Sequence, residues 1–323
     1  MKATVVIPTY NRNGQVTNAL TALLKQSLPE EEFEIIVVND GSTDSTDAKI
    51  TQFFCVNNRK TWQYIHYNQN RGKAAALNLG IRAAKAPLIV FTDDDCVPSS
   101  TWVEMHVRQH LASDRPLAVL GSVSFPKEWV VRSNFVRYAN SRYVGNRSER
   151  SVGGDFNNLP SRYFGGLNIS IHKQQLLQVG LFNEAIGRGQ DVELGYRLWK
   201  SGVKIVYEPQ ASILHFEPEV QSIRKRILKQ ARVYQESKPL INQLHPEMGR
   251  SGNWFFEPPE LGTEPFKHTI LKFIVRIVVR PFLAKHLLSF LEWTDSQPLL
   301  YNPLLYQYVF ASACLENIKQ REP

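Results

Sequence analysis

Short apolar runs alternate with amphipathic segments along the first hundred residues. Residues 3–7 are apolar and β-branched apart from one alanine, which predicts a strand ending at Pro8. Val16, Ala19, Leu20, Leu23 and Leu24 recur at helical spacing and predict a helix running to about Gln26. Residues 33–38 read as a second strand. The segment after it, from Asn39 to Asp47, combines a turn with N-cap residues for the next helix. Residues 62–67 predict a third strand, Asn70-Arg71-Gly72-Lys73 its loop, and residues 74–85 an alanine-rich helix. A fourth apolar run begins at Leu88 and ends in Asp93-Asp94-Asp95.

Strands that alternate with helices of this length imply βαβ units: an α/β fold with a mostly parallel twisted sheet flanked by helices. Ligands bind such sheets outside the carboxyl ends of the strands. Pro8 to Arg12, Asp40 to Asp44, Arg71 to Lys73 and Asp93 to Asp95 all fall at those ends. Three adjacent carboxylates repel one another, so they persist where water, a basic partner or a hard cation offsets the repulsion. Alone, the triplet reads as a solvated acidic turn; its position after a buried strand, with Asp40 and Lys73 on the same rim, favours a site. Neither a G-x-G-x-x-G fingerprint nor a P-loop is present. The rim, with Thr9, Tyr10 and Arg12 in its first loop, suits a nucleotide whose phosphates are held by a cation. Asp40 can accept from a base edge, Tyr10 can pack on it, and Lys73 can meet phosphate.

The second half is organised differently. Phe164-Gly165-Gly166-Leu167 precedes an apolar strand, and Gly187-Arg188-Gly189-Gln190-Asp191 leads into a helix, with Asp191 near its start. Glu193 and Arg197, four residues apart, read as a structural ion pair. Residues 203–207 and 212–216 predict two further strands, the second carrying His215. After Pro218 the character changes. Arg224, Lys225, Arg226, Lys229 and Arg232 line a basic helical segment, residues 245–265 are rich in Pro and Gly, and residues 266–293 are apolar but interrupted by charges. Those charges exclude an uninterrupted spanning helix of roughly 20 residues. Lys272, Arg276 and Arg280 form one helical stripe, which Pro281 breaks or kinks. The expected division is residues 1–219, nucleotide-binding and catalytic, and residues 220–323, basic and mainly helical.

Composition narrows the function. With 323 residues and 43% hydrophobic content the chain has enough apolar surface for a real core. The net charge of +8 favours anionic partners, and from Val220 onward 14 Lys and Arg face 9 Asp and Glu. The charge is modest and no recognition motif appears, so nucleic acid is not an expected partner. Cys55, Cys96 and Cys314 form neither a zinc pattern nor a disulfide framework, as in a reducing compartment. The N-terminal apolar run is too short for a secretory signal, so a cytoplasmic location is expected.

Four stretches, Val5-Val6-Ile7-Pro8-Thr9-Tyr10-Asn11-Arg12, Val37-Val38-Asn39-Asp40-Gly41-Ser42-Thr43-Asp44, Arg71-Gly72-Lys73-Ala74-Ala75-Ala76-Leu77-Asn78 and Phe91-Thr92-Asp93-Asp94-Asp95, resemble the successive motifs of family 2 inverting glycosyltransferases. The resemblance implies a glycosyltransferase-A fold, a nucleoside diphosphate sugar donor, most often UDP-linked, and a divalent cation, Mn2+ or Mg2+. It implies Pro8, Tyr10 and Asp40 at the base, Asp93 at the ribose or sugar, and Asp95 on the metal. Asp94 is counted with the nucleotide-sugar contacts but its part in them is open, since in an extended segment its side chain points away from those of its neighbours. Gly165 and Gly166 match the glycine-rich segment on the acceptor side. Asp191 matches the catalytic base of an acidic dyad, in which Gln190 replaces the usual glutamate. His215 matches a histidine near the metal or diphosphate, and reads equally as a satisfied core histidine.

The implied acceptor is a glycan or a lipid-linked glycan, and the basic C-terminal region reads as a peripheral contact with the cytoplasmic membrane face or as a homodimer surface. Two other functions share parts of the pattern. A sugar nucleotidyltransferase would need a glycine-rich basic signature after the first strand, which residues 8–14 lack. A non-catalytic nucleotide-sugar or membrane-binding module would have no need of Asp191.

Overall fold

The computed structural model describes residues 1–315 except 14, 148–154, 218–219, 221, 251–268, 271–272, 275–276 and 280. It divides into two compact units, Met1–Pro126 with Ser141–Phe216 and Lys127–Asn140 with Glu217–Pro323.

The first unit opens with β1 (Ala3–Thr9), α1 (Val16–Leu23), β2 (Phe33–Asn39), α2 (Thr46–Asn57), β3 (Trp62–His66), α3 (Lys73–Ala83) and β4 (Leu88–Thr92). It continues with β5 (Cys96–Pro98), α4 (Trp102–Leu111) and β6 (Leu117–Ser124). Two short helices, α5 (Lys127–Arg132) and α6 (Asn134–Asn140), belong to the second unit; β7 (Asn168–His172), α7 (Lys173–Gln178), α8 (Gln190–Lys200) and β8 (Lys204–His215) then complete the first. The strands form one sheet in the order β3-β2-β1-β4-β7-β6-β8-β5. Its first half, β3-β2-β1-β4, is parallel, as the βαβ pattern requires. Beyond β4 the sheet is mixed: β7 is antiparallel to β4 and β6, β8 is parallel to β6, and β5 is antiparallel to β8.

Every residue of β1 and β2 is buried, which explains their continuous apolar runs. Alternate side chains serve opposite faces. Val6 packs with Ala76, Leu77 and Ile81 of α3 and Leu194 of α8, while Val5 and Ile7 pack with Leu20 of α1, Ile50 of α2 and Trp102 of α4. Two expected boundaries are corrected. α1 ends at Leu23, short of Gln26. Residues 203–207 and 212–216 are not two strands: all but the outermost residue of each belong to β8, whose pairing with β6 slips between Gly121 opposite Glu208 and Ser122 opposite Ser212. A bulge absorbs the extra residues without ending the strand.

The buried strand β7 carries polar residues that α4 satisfies. Trp102 Nε1 donates to Asn168 Oδ1 (2.8 Å), His106 bridges Asn168 Oδ1 and Ser170 Oγ (both 2.9 Å), and His110 Nε2 lies 2.9 Å from the same hydroxyl. Burial lowers the pKa of His106 to about 4 and that of His110, with His172 and His106 nearby, to about 3.

In the second unit α9 (Ile223–Leu244), α10 (Pro281–Trp293) and α11 (Pro303–Leu315) are helical. Pro281 starts α10, where its missing N–H costs nothing. The stripe of Lys272, Arg276 and Arg280 lies outside the described residues, as does the side chain of Arg232. The basic start of α9 is largely paired: Arg226 and Lys229 meet buried Glu217, and Arg224 lies 3.2 Å from Glu292. Among the described residues no helix is long and apolar enough to cross a membrane.

Candidate functional site

The four strand ends meet in one place because four parallel strands, β3-β2-β1-β4, finish side by side. The loops after β1 and β2 are stitched together: Asn11 N donates to Ser42 Oγ (2.9 Å), Thr43 N to Asn11 Oδ1 (2.8 Å), Arg12 N to Thr46 Oγ1 (3.0 Å) and Asn13 N to Asp44 Oδ2 (2.8 Å). Pro8 and Thr9 are buried at the end of β1, and Tyr10, 42% exposed, presents its ring at the surface.

Asp40 faces inward, toward the next loop. Its Oδ1 accepts from Arg71 N (2.8 Å), and its Oδ2 from Gly72 N (2.8 Å) and Asn70 Nδ2 (2.9 Å). Burial raises its pKa against these hydrogen bonds and the charge of Arg71. The loop passes so close that a Cβ on Gly41, at φ +73°, would lie 2.4 Å from the Gln69 carbonyl carbon; only glycine fits. Asp40 therefore organises the loop that delivers Lys73 to the head of α3.

Lys73 Nζ lies 2.6 and 2.8 Å from the two oxygens of Asp93. Partial desolvation disfavours the ammonium, but Asp93, with Asp191 and Asp95 behind it, outweighs that and raises the Lys73 pKa. The next two carboxylates turn to Arg12, whose Nε is 3.2 Å from Asp94 Oδ1 and whose Nη2 is 3.4 Å from Asp95 Oδ2. This corrects the alternation expected of an extended segment. Residues 94–95 form a turn, closed by Cys96 N donating to Asp93 O, so Asp94 and Asp95 share a partner. Burial pushes the Asp94 carboxyl up to about 7 despite Arg12.

Asp95 is drawn the other way. Burial alone would raise its pKa, but His215, Arg12 and Lys73 together hold it below the usual carboxylate range. His215 Nε2 lies 3.3 Å from Asp95 Oδ1 because β5 pairs with β8 in the register Cys96 opposite His215. Nδ1 of the same ring is 2.8 Å from the Tyr143 hydroxyl, and the ring stacks on Phe125 at 5.5 Å. Asp95, Cys96 and His215 have ligating atoms all within 4.8 Å of one another. Burial, reinforced by Asp95 and Asp93, pushes the Cys96 thiol up, and a soft sulfur is a poor ligand for a hard cation. The carboxylate and imidazole that remain suit a cation of the Mn2+ or Mg2+ kind, which takes few protein ligands and completes its shell with water or phosphate.

Asp191 lies in the first turn of α8, after Gly189 in the left-handed region at φ +74°. Its Oδ1 accepts from Val192 N (2.9 Å) and its Oδ2 from Gly166 N at a longer 3.4 Å, which joins the glycine-rich segment to the helix start. A side chain at Gly166 would point into open space. Gln190 is buried, and its Oε1 has no hydrogen-bond partner among the described residues. Glu193 and Arg197 form the expected ion pair, with Nε to Oε1 at 2.7 Å, and Arg197 also donates to the carbonyls of Val179 and Leu181.

Several contributors escaped sequence reasoning. Tyr143 has no local signal. Asn78 joins α3 to the segment before α8: its Nδ2 donates to Phe182 O and Glu184 Oε1 (both 2.9 Å), and its Oδ1 accepts from Phe182 N (3.0 Å). An asparagine inside an apolar helix was the only clue.

Comparison with known proteins fits this arrangement. Chondroitin synthase from Escherichia coli is 27% identical over 240 residues, covering 66% of this chain and 34% of that protein. Validoxylamine A glucosyltransferase from Streptomyces hygroscopicus subsp. limoneus is 30% identical over 225 residues, covering 62% of this chain and 48% of that one. The chain thus spans less than half the length of these curated relatives. In fold it resembles the mannosyltransferase PcManGT from Pyrobaculum calidifontis, solved in complex with GDP-Man and Mn2+, at a TM-score of 0.59 and 18% identity over 99% of this chain and 88% of that one. The model of glycosyl transferase family 2 matches residues 4–168, from β1 through the four strand ends to the start of β7. The chain belongs to glycosyl transferase family 2 and has the glycosyltransferase-A fold.

Proposed function

We propose that the chain is an inverting glycosyltransferase that moves a sugar from a nucleoside diphosphate sugar, UDP-linked, to a hydroxyl of a glycan or lipid-linked acceptor. The observation that carries this reading is the convergence of charge on Lys73: paired with Asp93, it also feels Asp95 and Asp191, so the donor rim and the head of α8 lie within electrostatic reach of one another. Catalysis is assigned to residues 1–219, and residues 220–323 are the basic C-terminal region. A relative named as a chondroitin synthase supports a role in polysaccharide synthesis; the basic C-terminal region is what motivates a place at the cytoplasmic face of the membrane.

In this reading Pro8, Thr9, Tyr10, Asp40 and Asp93 receive the nucleoside, Arg12 and Lys73 face its phosphates, and Asp94 braces Arg12. Asp95 and His215 hold Mn2+ or Mg2+, which when bound offsets charge on the departing diphosphate. Gly165, Gly166 and Gln190 line the acceptor side. Asp191 takes the proton from the acceptor hydroxyl as that oxygen attacks the anomeric carbon from the face opposite the diphosphate. The C1–O bond to the acceptor forms as the C1–O bond to phosphate breaks, the anomeric centre inverts, and no covalent sugar–enzyme species is required.

The test is product release from a panel of nucleotide sugars with Mn2+ present. Nucleoside diphosphate is expected from one donor, with its sugar on water or an added acceptor. Pyrophosphate instead would mean nucleotidyl transfer, and no turnover of any donor would leave only a binding module.

A further inference from the structure

His215 is held at both ring nitrogens, and the two contacts constrain one another. Nε2 lies 3.3 Å from Asp95 Oδ1, and Nδ1 lies 2.8 Å from the Tyr143 hydroxyl. The imidazole is buried and nearly parallel to Phe125, with 18° between the planes and 5.5 Å between the centroids, so packing fixes its plane. Tyr143 is anchored in turn. Its ring packs against the cluster that holds Val123 of β6 and Ile213 of β8, and it lies 5.5 Å from the ring of Phe125.

A neutral imidazole carries one proton, on one of its two nitrogens. Asp95, held below the usual carboxylate range, can only accept, so towards Asp95 the proton sits on Nε2 and Nδ1 accepts from Tyr143. A cation on Nε2 needs the lone pair of that nitrogen. The proton then sits on Nδ1 and requires an acceptor. A carbonyl beside Nδ1 would serve only the second arrangement, and an N–H only the first. A hydroxyl serves both, because it donates and accepts.

The structure assigns Tyr143 as a positioning residue of the cation site: its hydroxyl holds the His215 ring and accepts from Nδ1 when Nε2 serves a cation instead of Asp95. The assignment rests on the metal reading of the proposed function and adds to it a residue beyond the ligands. Tyr143→Phe keeps the anchored ring and removes the hydroxyl alone, so among the described residues the buried Nδ1 loses its partner.

The experiment is titration of the full chain with Mn2+ alone, read by electron paramagnetic resonance of the free ion, for the wild type, Tyr143→Phe and His215→Ala. Tyr143→Phe keeps the wild-type circular dichroism and raises the Mn2+ dissociation constant about tenfold to a hundredfold, the scale of a lost partner behind a ligating histidine. His215→Ala raises it at least as far. At saturating Mn2+, spin-echo modulation from a coordinated nitrogen is present in the wild type and in Tyr143→Phe and absent from His215→Ala, which separates positioning from ligation. An unchanged Mn2+ affinity in Tyr143→Phe overturns the inference and leaves the metal assignment standing. A wild type that binds no Mn2+, or His215→Ala with wild-type affinity, overturns the metal assignment and the inference with it.

Discussion

Lys73 and Asp93 form a two-oxygen ion pair, with Nζ 2.6 and 2.8 Å from the carboxylate oxygens, between the head of α3 and the end of β4. The pair ties the third loop to the acidic turn, and in the proposed reading Lys73, with Arg12, faces the donor's diphosphate. Lys73→Ala should weaken binding of a nucleotide sugar by roughly ten- to a hundredfold, the scale of one charge-assisted contact. Isothermal titration calorimetry with the donor identified by hydrolysis reads this directly. An unchanged affinity would mean that Lys73 serves Asp93 alone.

Asp191 is held by Val192 N and, more loosely, by Gly166 N, contacts that an asparagine oxygen can partly reproduce. Asp191→Asn should therefore fold normally and bind donor within about twofold of wild type, while turnover to acceptor falls by roughly a hundredfold to ten-thousandfold, the contribution of a general base. Single-turnover kinetics beside donor titration separate the two effects, and wild-type turnover would remove Asp191 as the base.

Asp40 accepts from two backbone amides and from Asn70. In Asp40→Asn at least one of those donors faces an NH2 group, so a half-buried amide loses its partner. The expected destabilisation is about 1–3 kcal/mol by urea denaturation. Donor affinity should fall along with stability, because the same loop carries Lys73.

The buried histidines of α4 set an acid limit on stability. Their pKa values are lowered on folding from 6.5, to about 4 for His106 and about 3 for His110, so between those limits the unfolded chain binds more protons. Their contribution is complete above pH 6.5 and is lost as pH falls toward 4 and then 3. Near pH 5 unfolding should take up about two protons from these groups, a slope of roughly 2.7 kcal/mol per pH unit. Asp94, raised on folding to about 7, releases about one proton over the same range, so the two histidines are read one by one by NMR titration, where a pKa near 6.5 for either would contradict the buried neutral state.

The parallel half of the sheet was legible because β1, β2 and β4 are buried on both faces and read as mostly apolar runs, each ending in a polar loop, while the edge strand β3 kept enough aromatic and β-branched residues to be read. The candidate rim was legible for the same reason, since loops at the ends of adjacent parallel strands must be neighbours. The antiparallel half was less so. β6 has a glycine and serines within it, β7 interrupts its apolar residues with Asn168 and Ser170, and β8 carries a bulge that made one strand look like two. These polar residues make sense only with α4 against them, a contact that local periodicity does not encode.

The sequence by itself determined the alternation of strands and helices through β4, the four polar strand ends and the residues available to them, because burial period and turn chemistry are local properties of the chain. Only the tertiary structure decided which groups meet. The β5–β8 register brings His215 to Asp95 across more than a hundred residues, the turn at Asp94 shares Arg12 between two carboxylates, and Asp40 is aimed at a backbone loop. Each of these contacts joins segments far apart in the chain, and their distances follow from strand pairing and packing, which no local pattern specifies.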